Sequence, residues 1–240
     1  MSTNRQEQEA MNAFTISDFF QLLSISLRLP NHELVQALLD GSYGRDALYI
    51  LEELSCTQEE IASAREALKT LVSTKEDVTS FLIQMRREYT RLFDDPKKPA
   101  VSIYETLFLH NPEEDKGGVM LFMSPAAIDA ERCYRSSGVS LVKQSAEPAD
   151  HMATELEFMM YLYAKKGKAL QEEKAEELAV LEKQIKEFAD LHLHKWCRAF
   201  FDKLASETGL AFYQGLCLLG KAGLSKFGDT SSVKCINRIP

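Results

Sequence analysis

The stretch EPADHMATELEFMMYLY, residues 147–163, sets a turn crowded with ionisable groups against the mouth of a very apolar segment. Pro148 disfavours helix in the residue before it and fits a first turn, so it marks a helix start. Asp150 lies where a helix N-terminus favours negative charge. Beyond His151, Leu156, Met159, Met160 and Tyr163 keep three-and-four spacing, while Phe158 and Leu162 fill other faces. A helix apolar nearly all round is a buried one, so this is the expected central helix. Side chains at the end of a rigid element often face a groove, and Glu147, Asp150 and His151 are expected there. The competing reading is a helix cap with a solvated histidine.

Helical periodicity continues in both directions. Ile16, Phe19, Phe20, Leu23 and Leu27 form one stripe that Pro30 ends, and Asn31 can cap a short helix carrying Leu34, Val35, Leu38 and Leu39 to a stop at Gly41. Thr57 with Glu60 has capping-box spacing ahead of Ile61, Ala64, Leu68 and Leu71, and Ser73 with Glu76 repeats the device. Val78, Phe81, Leu82, Met85, Tyr89 and Leu92 predict a long helix ending near Phe93, broken by DDPKKP. A short apolar piece runs from Ile103 to Leu109, an exposed loop HNPEEDKGG follows, and a further helix is expected after Pro125.

After the central helix, acids and lysines alternate from Lys168 to Asp190 around Leu178, Leu181, Ile185 and Phe188, with Glu182 four before Lys186 for an ion pair. Two more stripes are Leu193, Trp196, Cys197, Phe200, Phe201, Leu204 and then Phe212, Leu216, Leu219. The β-compatible run SGVSLVK, residues 137–143, stands alone with nothing to pair with. The fold class is therefore all-α: one multi-helix bundle domain over residues 1–228, with a loosely ordered tail at 229–240.

The chain has 240 residues, 45% hydrophobic content and a formal charge of -8, enough apolar material for a real core and the wrong sign for duplex nucleic acid. The polar N-terminus MSTNRQEQEAMNAF lacks a secretory signal, and no apolar run is long enough to insert stably in a membrane. Five scattered cysteines without a CxxC pair fit reduced thiols in a cytoplasm.

Enzymatic motifs mostly fail. Gly215 to Lys221, GLCLLGK, matches the front of a phosphate-binding loop, but Ala222 stands where a hydroxyl is needed and the stretch is itself amphipathic helix. His192, His194 and Cys197 cannot all reach one metal from a regular helix. What survives is an acid–base or metal-dependent site built from Asp150, His151 and Glu155, a second reading in which the chain is a hydrolase-like enzyme.

Three separated blocks then resemble one family. Tyr89, Leu92 and Phe93 precede Pro96 and the trio Tyr104, Glu105, Thr106; EPADH runs into ELEFM; and Phe188, His192, Leu193 and Trp196 are followed by Phe200, Phe212 and Tyr213. Together they look like the TorD/DmsD family of redox-enzyme maturation chaperones. Lys97 after Pro96 and Ile103 before Tyr104 depart from its pattern. The resemblance implies an all-helical cytoplasmic chaperone, without cofactor or catalysed reaction. The partner it implies is the catalytic subunit of a molybdopterin oxidoreductase, or that subunit's twin-arginine leader peptide, expected to be held until the cofactor is loaded.

A leader of this kind brings two arginines and a short apolar helix, so its receptor should set carboxylates beside an apolar groove. Glu147 and Asp150 are the expected carboxylates, with His151 orienting Asp150 or bonding the peptide backbone. Tyr89, Leu92, Phe93 and Tyr104 are the expected apolar wall, and Pro148, His192 and Trp196 the structural part of the motif. A non-catalytic adaptor for folded partners is a third reading, and the chain is expected as a monomer or a segment-swapped dimer.

Overall fold

The computed structural model describes residues 2–72, 76–110, 123–141 and 147–227. Among them are eleven α-helices and no strand. Ser73, the HNPEEDKGG loop and the 229–240 tail lie outside the described residues, apart from His110.

Helix α1 (Ser2–Ser26) starts well before its apolar stripe and runs antiparallel along the central helix α8 (Met152–Gln171). The two are joined by hydroxyls as well as by packing: Ser17 donates to the carbonyl of Met160 (3.0 Å) and Ser24 to that of Ala153 (2.7 Å). Each satisfies a buried polar group without interrupting the helix ladder. Gly167 lets the ring of Phe14 come so close that an added Cβ would lie 2.7 Å from it.

Asn31 caps α2 (His32–Leu39) through the amide of Leu34. Gly41 (φ 78°) then turns the chain directly into α3 (Ser42–Glu53), which has no side-chain cap and therefore no start signal in the sequence. Its buried face is Tyr43, Ala47, Ile50 and Leu51. Thr57 and Glu60 form the expected reciprocal capping box ahead of α4 (Gln58–Val72), Glu60 accepting from the Thr57 amide at 2.7 Å and Thr57 from the Glu60 amide at 3.2 Å. Asp77 caps α5 (Val78–Tyr89), which continues into a π-helical turn at Thr90–Asp94. The short α6 (Glu105–Leu109) and α7 (Pro125–Ser136, capped by Ser124) follow.

The charged stretch after α8 is not continuous helix. Glu173 adopts φ 56°, separating α8 from α9 (Ala175–Phe188). Glu182 pairs with Lys166 of α8, and Lys186 with Asp190, in place of the expected pair within α9. The π-helical turn Ala189–Leu193 leads into α10 (His194–Glu207), and α11 (Ala211–Leu224) closes the bundle. Gly215 to Lys221 is helical, as its amphipathic pattern predicts.

The main core is a contiguous cluster from Ile16 to Ala222, with Phe19, Phe20, Phe188, Trp196, Phe200, Phe201, Phe212 and Tyr213 fully buried, and a small second cluster joins Ala10 and Ala13 of α1 to Leu170 of α8. Glycine on α11 makes close packing possible: a Cβ on Gly223 would lie 2.1 Å from Phe19 Cε2, and that ring is held against Phe20 and Phe227. Gly223→Ala is therefore expected to destabilise the protein by about 1–3 kcal/mol in urea unfolding. Gly209→Ala, whose methyl meets nothing within 4 Å, should stay within about 0.5 kcal/mol of wild type.

Candidate functional site

The EPADH turn is stitched to the segment before α6. Met152 donates its amide to the carbonyl of Ile103 (2.9 Å) and Glu105 to that of Asp150 (2.9 Å), forming an isolated antiparallel bridge between Tyr104 and His151. Tyr134 donates its hydroxyl to the carbonyl of Ala149 (2.7 Å), so the turn is pinned from α7 too.

These bonds draw Asp150 and His151 inward. Both are buried, at 0% and 1% exposure, where the sequence reading expected them on an open rim. The cause is the helix start: α8 begins at Met152, later than Pro148 suggests, and its cap is His151. His151 Nδ1 accepts from the amide of Ala153 (3.1 Å), which leaves the proton on Nε2. Burial, reinforced by the charge of Arg28, lowers its pKa to about 3, so the ring is neutral. Asp150 Oδ2 accepts from the Thr106 amide (3.0 Å) and hydroxyl (2.5 Å), and Thr106 is in turn 2.7 Å from the Ser124 hydroxyl.

Behind this lies a second polar group in the core. The His192 ring meets Glu105 through Nδ1 (2.7 Å) and Asp129 through Nε2 (3.3 Å), and Trp196 donates to Glu155 Oε2 (3.1 Å). Burial opposes charge on His192, but hydrogen bonds to Cys133 and Glu105 and the fields of Glu155 and Glu105 outweigh it, raising the pKa to about 10. The imidazolium thus compensates buried Glu105. Burial, with the field of Glu105, pushes Glu155 well above the usual carboxylate range. Two donor sets come together within 4.8 Å, Glu105–Glu155–His192 and Asp129–Cys133–His192, and they share one histidine.

Asp150, His151 and Glu155 do not converge as an acid–base or metal trio, since each is committed to a different partner: Thr106, Ala153 and Trp196. His192 and His194 do point to opposite sides, one buried and the other 42% exposed.

Of the expected groove wall, Tyr89, Leu92 and Phe93 are core: Phe93 stacks on Phe200 and meets Tyr213 edge-on. Pro148 and Trp196 are buried as well. Tyr104 is half-buried, with its ring against His151, and burial plus the fields of Glu147, Asp94 and Asp150 raise its phenol to about 12.

The accessible part of the turn is Glu147. Its carboxylate accepts from Arg28 Nη1 (2.9 Å), while Arg28 Nη2 donates to Thr154 Oγ1 (3.1 Å) and Glu157 Oε2 (2.8 Å). Arg28 lies two residues past the end of α1, and sequence reading missed both it and Glu157. The available signal was a lone base ending an apolar stripe, with Glu157 three after Thr154 on one face of α8.

Beside this pair opens a cleft of about 360 Å³ lined by Val139, Leu141, Phe158, Met160 and Tyr161. A larger cleft of about 650 Å³ lies between α8, α9, α10 and α11, but its rim carries Lys166, Lys186, Arg198 and Lys221 against Glu182 and Asp190. The smaller cleft, with Arg28 balanced by Glu157 in its lining, opposes a cationic ligand less than the larger one does.

The family model described as nitrate reductase delta subunit matches residues 56–202, well over half of the chain. That range holds the EPADH turn and the His192 cluster but not Arg28. A chaperone protein TorD from Photobacterium profundum is 27% identical over 174 residues, covering 71% of this chain and 74% of that protein. With its all-helical architecture and these matches, the chain belongs to the nitrate reductase delta subunit family, the family of the TorD chaperones, and is a redox-enzyme maturation chaperone rather than an enzyme.

Proposed function

We propose that the protein acts in the cytoplasm on the catalytic subunit of a molybdopterin oxidoreductase, holding its twin-arginine leader peptide, or the unloaded subunit, until the cofactor is inserted. The observation that carries this reading is the cleft above: an aromatic and aliphatic furrow with the exposed Glu157 in its lining and the half-buried Glu147 joined to it through Arg28. Carboxylates take guanidinium groups through paired hydrogen bonds, and a furrow of this composition takes one face of a short apolar helix.

In this reading Glu147 and Tyr104 are contacts. Asp150 and His151 position the turn that presents Glu147, and Leu92, Phe93, His192 and Trp196 support it from the core. The test is co-expression with a leader-bearing molybdoenzyme subunit and with the same subunit lacking its leader. Copurification of the unloaded client, with loss of enzyme maturation when the chaperone is deleted, is the expected result. Equal capture of cofactor-loaded and unloaded client would instead point to an adaptor for folded partners.

A further inference from the structure

The rim of the cleft already holds a guanidinium, and it belongs to the protein itself. Arg28 bridges three acceptors from two parts of the chain: Glu147 on the turn, and Thr154 and Glu157 on α8. Planar fork geometry suits that task, and a lysine ammonium cannot reproduce it. We propose that Arg28 occupies the arginine subsite of the client cleft as an internal stand-in, and that an arginine of the client displaces it while the following apolar residue enters the furrow lined by Leu141, Phe158 and Tyr161. This rests on the reading that the client offers an arginine-bearing leader.

Several features favour exchange over a fixed strut. The Arg28, Glu147 and Glu157 side chains are 35%, 40% and 56% exposed, so a second guanidinium can reach both carboxylates from solvent. Ion pairs of such exposure are individually weak, and swapping one guanidinium for another makes as many hydrogen bonds as it breaks. Burial of apolar surface in the adjoining furrow then tips the balance towards the client. With Arg28 seated, two carboxylates share one guanidinium, so each keeps acceptor capacity for an incoming guanidinium. Thr154 is only 8% exposed, and its hydroxyl favours an occupied subsite over an empty one.

The experiment is calorimetric titration of the full chain with a synthetic peptide bearing an adjacent arginine pair followed by a run of leucines, against its lysine-pair counterpart. Arg28→Gln is expected to bind the arginine peptide about 3–30-fold more tightly than wild type while leaving the lysine peptide weak. Glu157→Gln should bind the arginine peptide about tenfold more weakly. Arg28→Lys, which keeps the charge but not the fork, should fall between wild type and Arg28→Gln. Thermal melts establish that each variant is folded.

Unchanged or weaker arginine-peptide binding by folded Arg28→Gln and Arg28→Lys would overturn the stand-in assignment. So would a Glu157→Gln variant that binds like wild type. If no form of the protein binds the arginine peptide yet unloaded client lacking its leader still copurifies, the subsite is wrong and the chaperone reading stands. Failure of any client to copurify would fall on that reading instead.

Discussion

His192→Ala should lower stability by about 3–5 kcal/mol, because it strands the Glu105 carboxylate, 2% exposed, without its cationic partner. Removing both partners is expected to cost less than the sum of the single losses, since the second substitution takes away the charge that the first left behind. Urea unfolding of His192→Ala, Glu105→Ala and the double variant measures this directly. A loss under about 1 kcal/mol in the first would mean the pair contributes little.

The two buried histidines also fix how stability varies with pH, and in opposite directions. The folded pKa of His192, about 10, lies above the ordinary 6.5, so its contribution is complete below pH 6.5 and is lost as pH rises towards 10. The folded pKa of His151, about 3, lies below 6.5, so its contribution is complete above pH 6.5 and is lost as pH falls towards 3. The histidine contribution to stability therefore peaks near pH 6.5. His192→Ala should flatten the alkaline limb and leave the acid limb, which thermal melts across pH 4–10 would display.

The sequence reveals most of the fold because periodicity and capping are local signals. The Thr57–Glu60 box, the Asn31 cap and the stripe of α10 can be read from a few neighbouring residues, and each appears where its spacing puts it. α3 is less legible because Gly41 launches it through a left-handed backbone rather than through a side-chain cap. The break at Glu173 is hidden for a similar reason, the φ of one residue in a run of good helix formers.

The site is legible in identity but not in orientation. EPADH is chemically distinctive, yet whether Asp150 faces solvent depends on a bridge to Ile103 and Glu105, more than forty residues away in sequence. The Arg28 to Glu157 pairing spans 129 residues, and no local pattern encodes it.

Asp150→Ala is expected to cost about 2–4 kcal/mol, because it deletes two charge-assisted hydrogen bonds and leaves the amide and hydroxyl of Thr106 without that acceptor. Asp150→Asn keeps one acceptor oxygen in place and should cost about half as much. Hydrogen exchange at the Thr106 amide would quicken in both, reporting release of α6 from the turn. The functional consequence separates two roles for the same residue. Asp150 is 0% exposed and its bonds run inward, so Asp150→Asn, while folded, should bind client nearly as wild type does and fail only as it approaches its lowered melting point. Glu147→Gln should do the reverse, since its side chain is 40% exposed: an unchanged melt with weakened client binding. Were fully folded Asp150→Asn to lose client affinity at low temperature, the carboxylate would be a contact, and the turn would have to open to expose it.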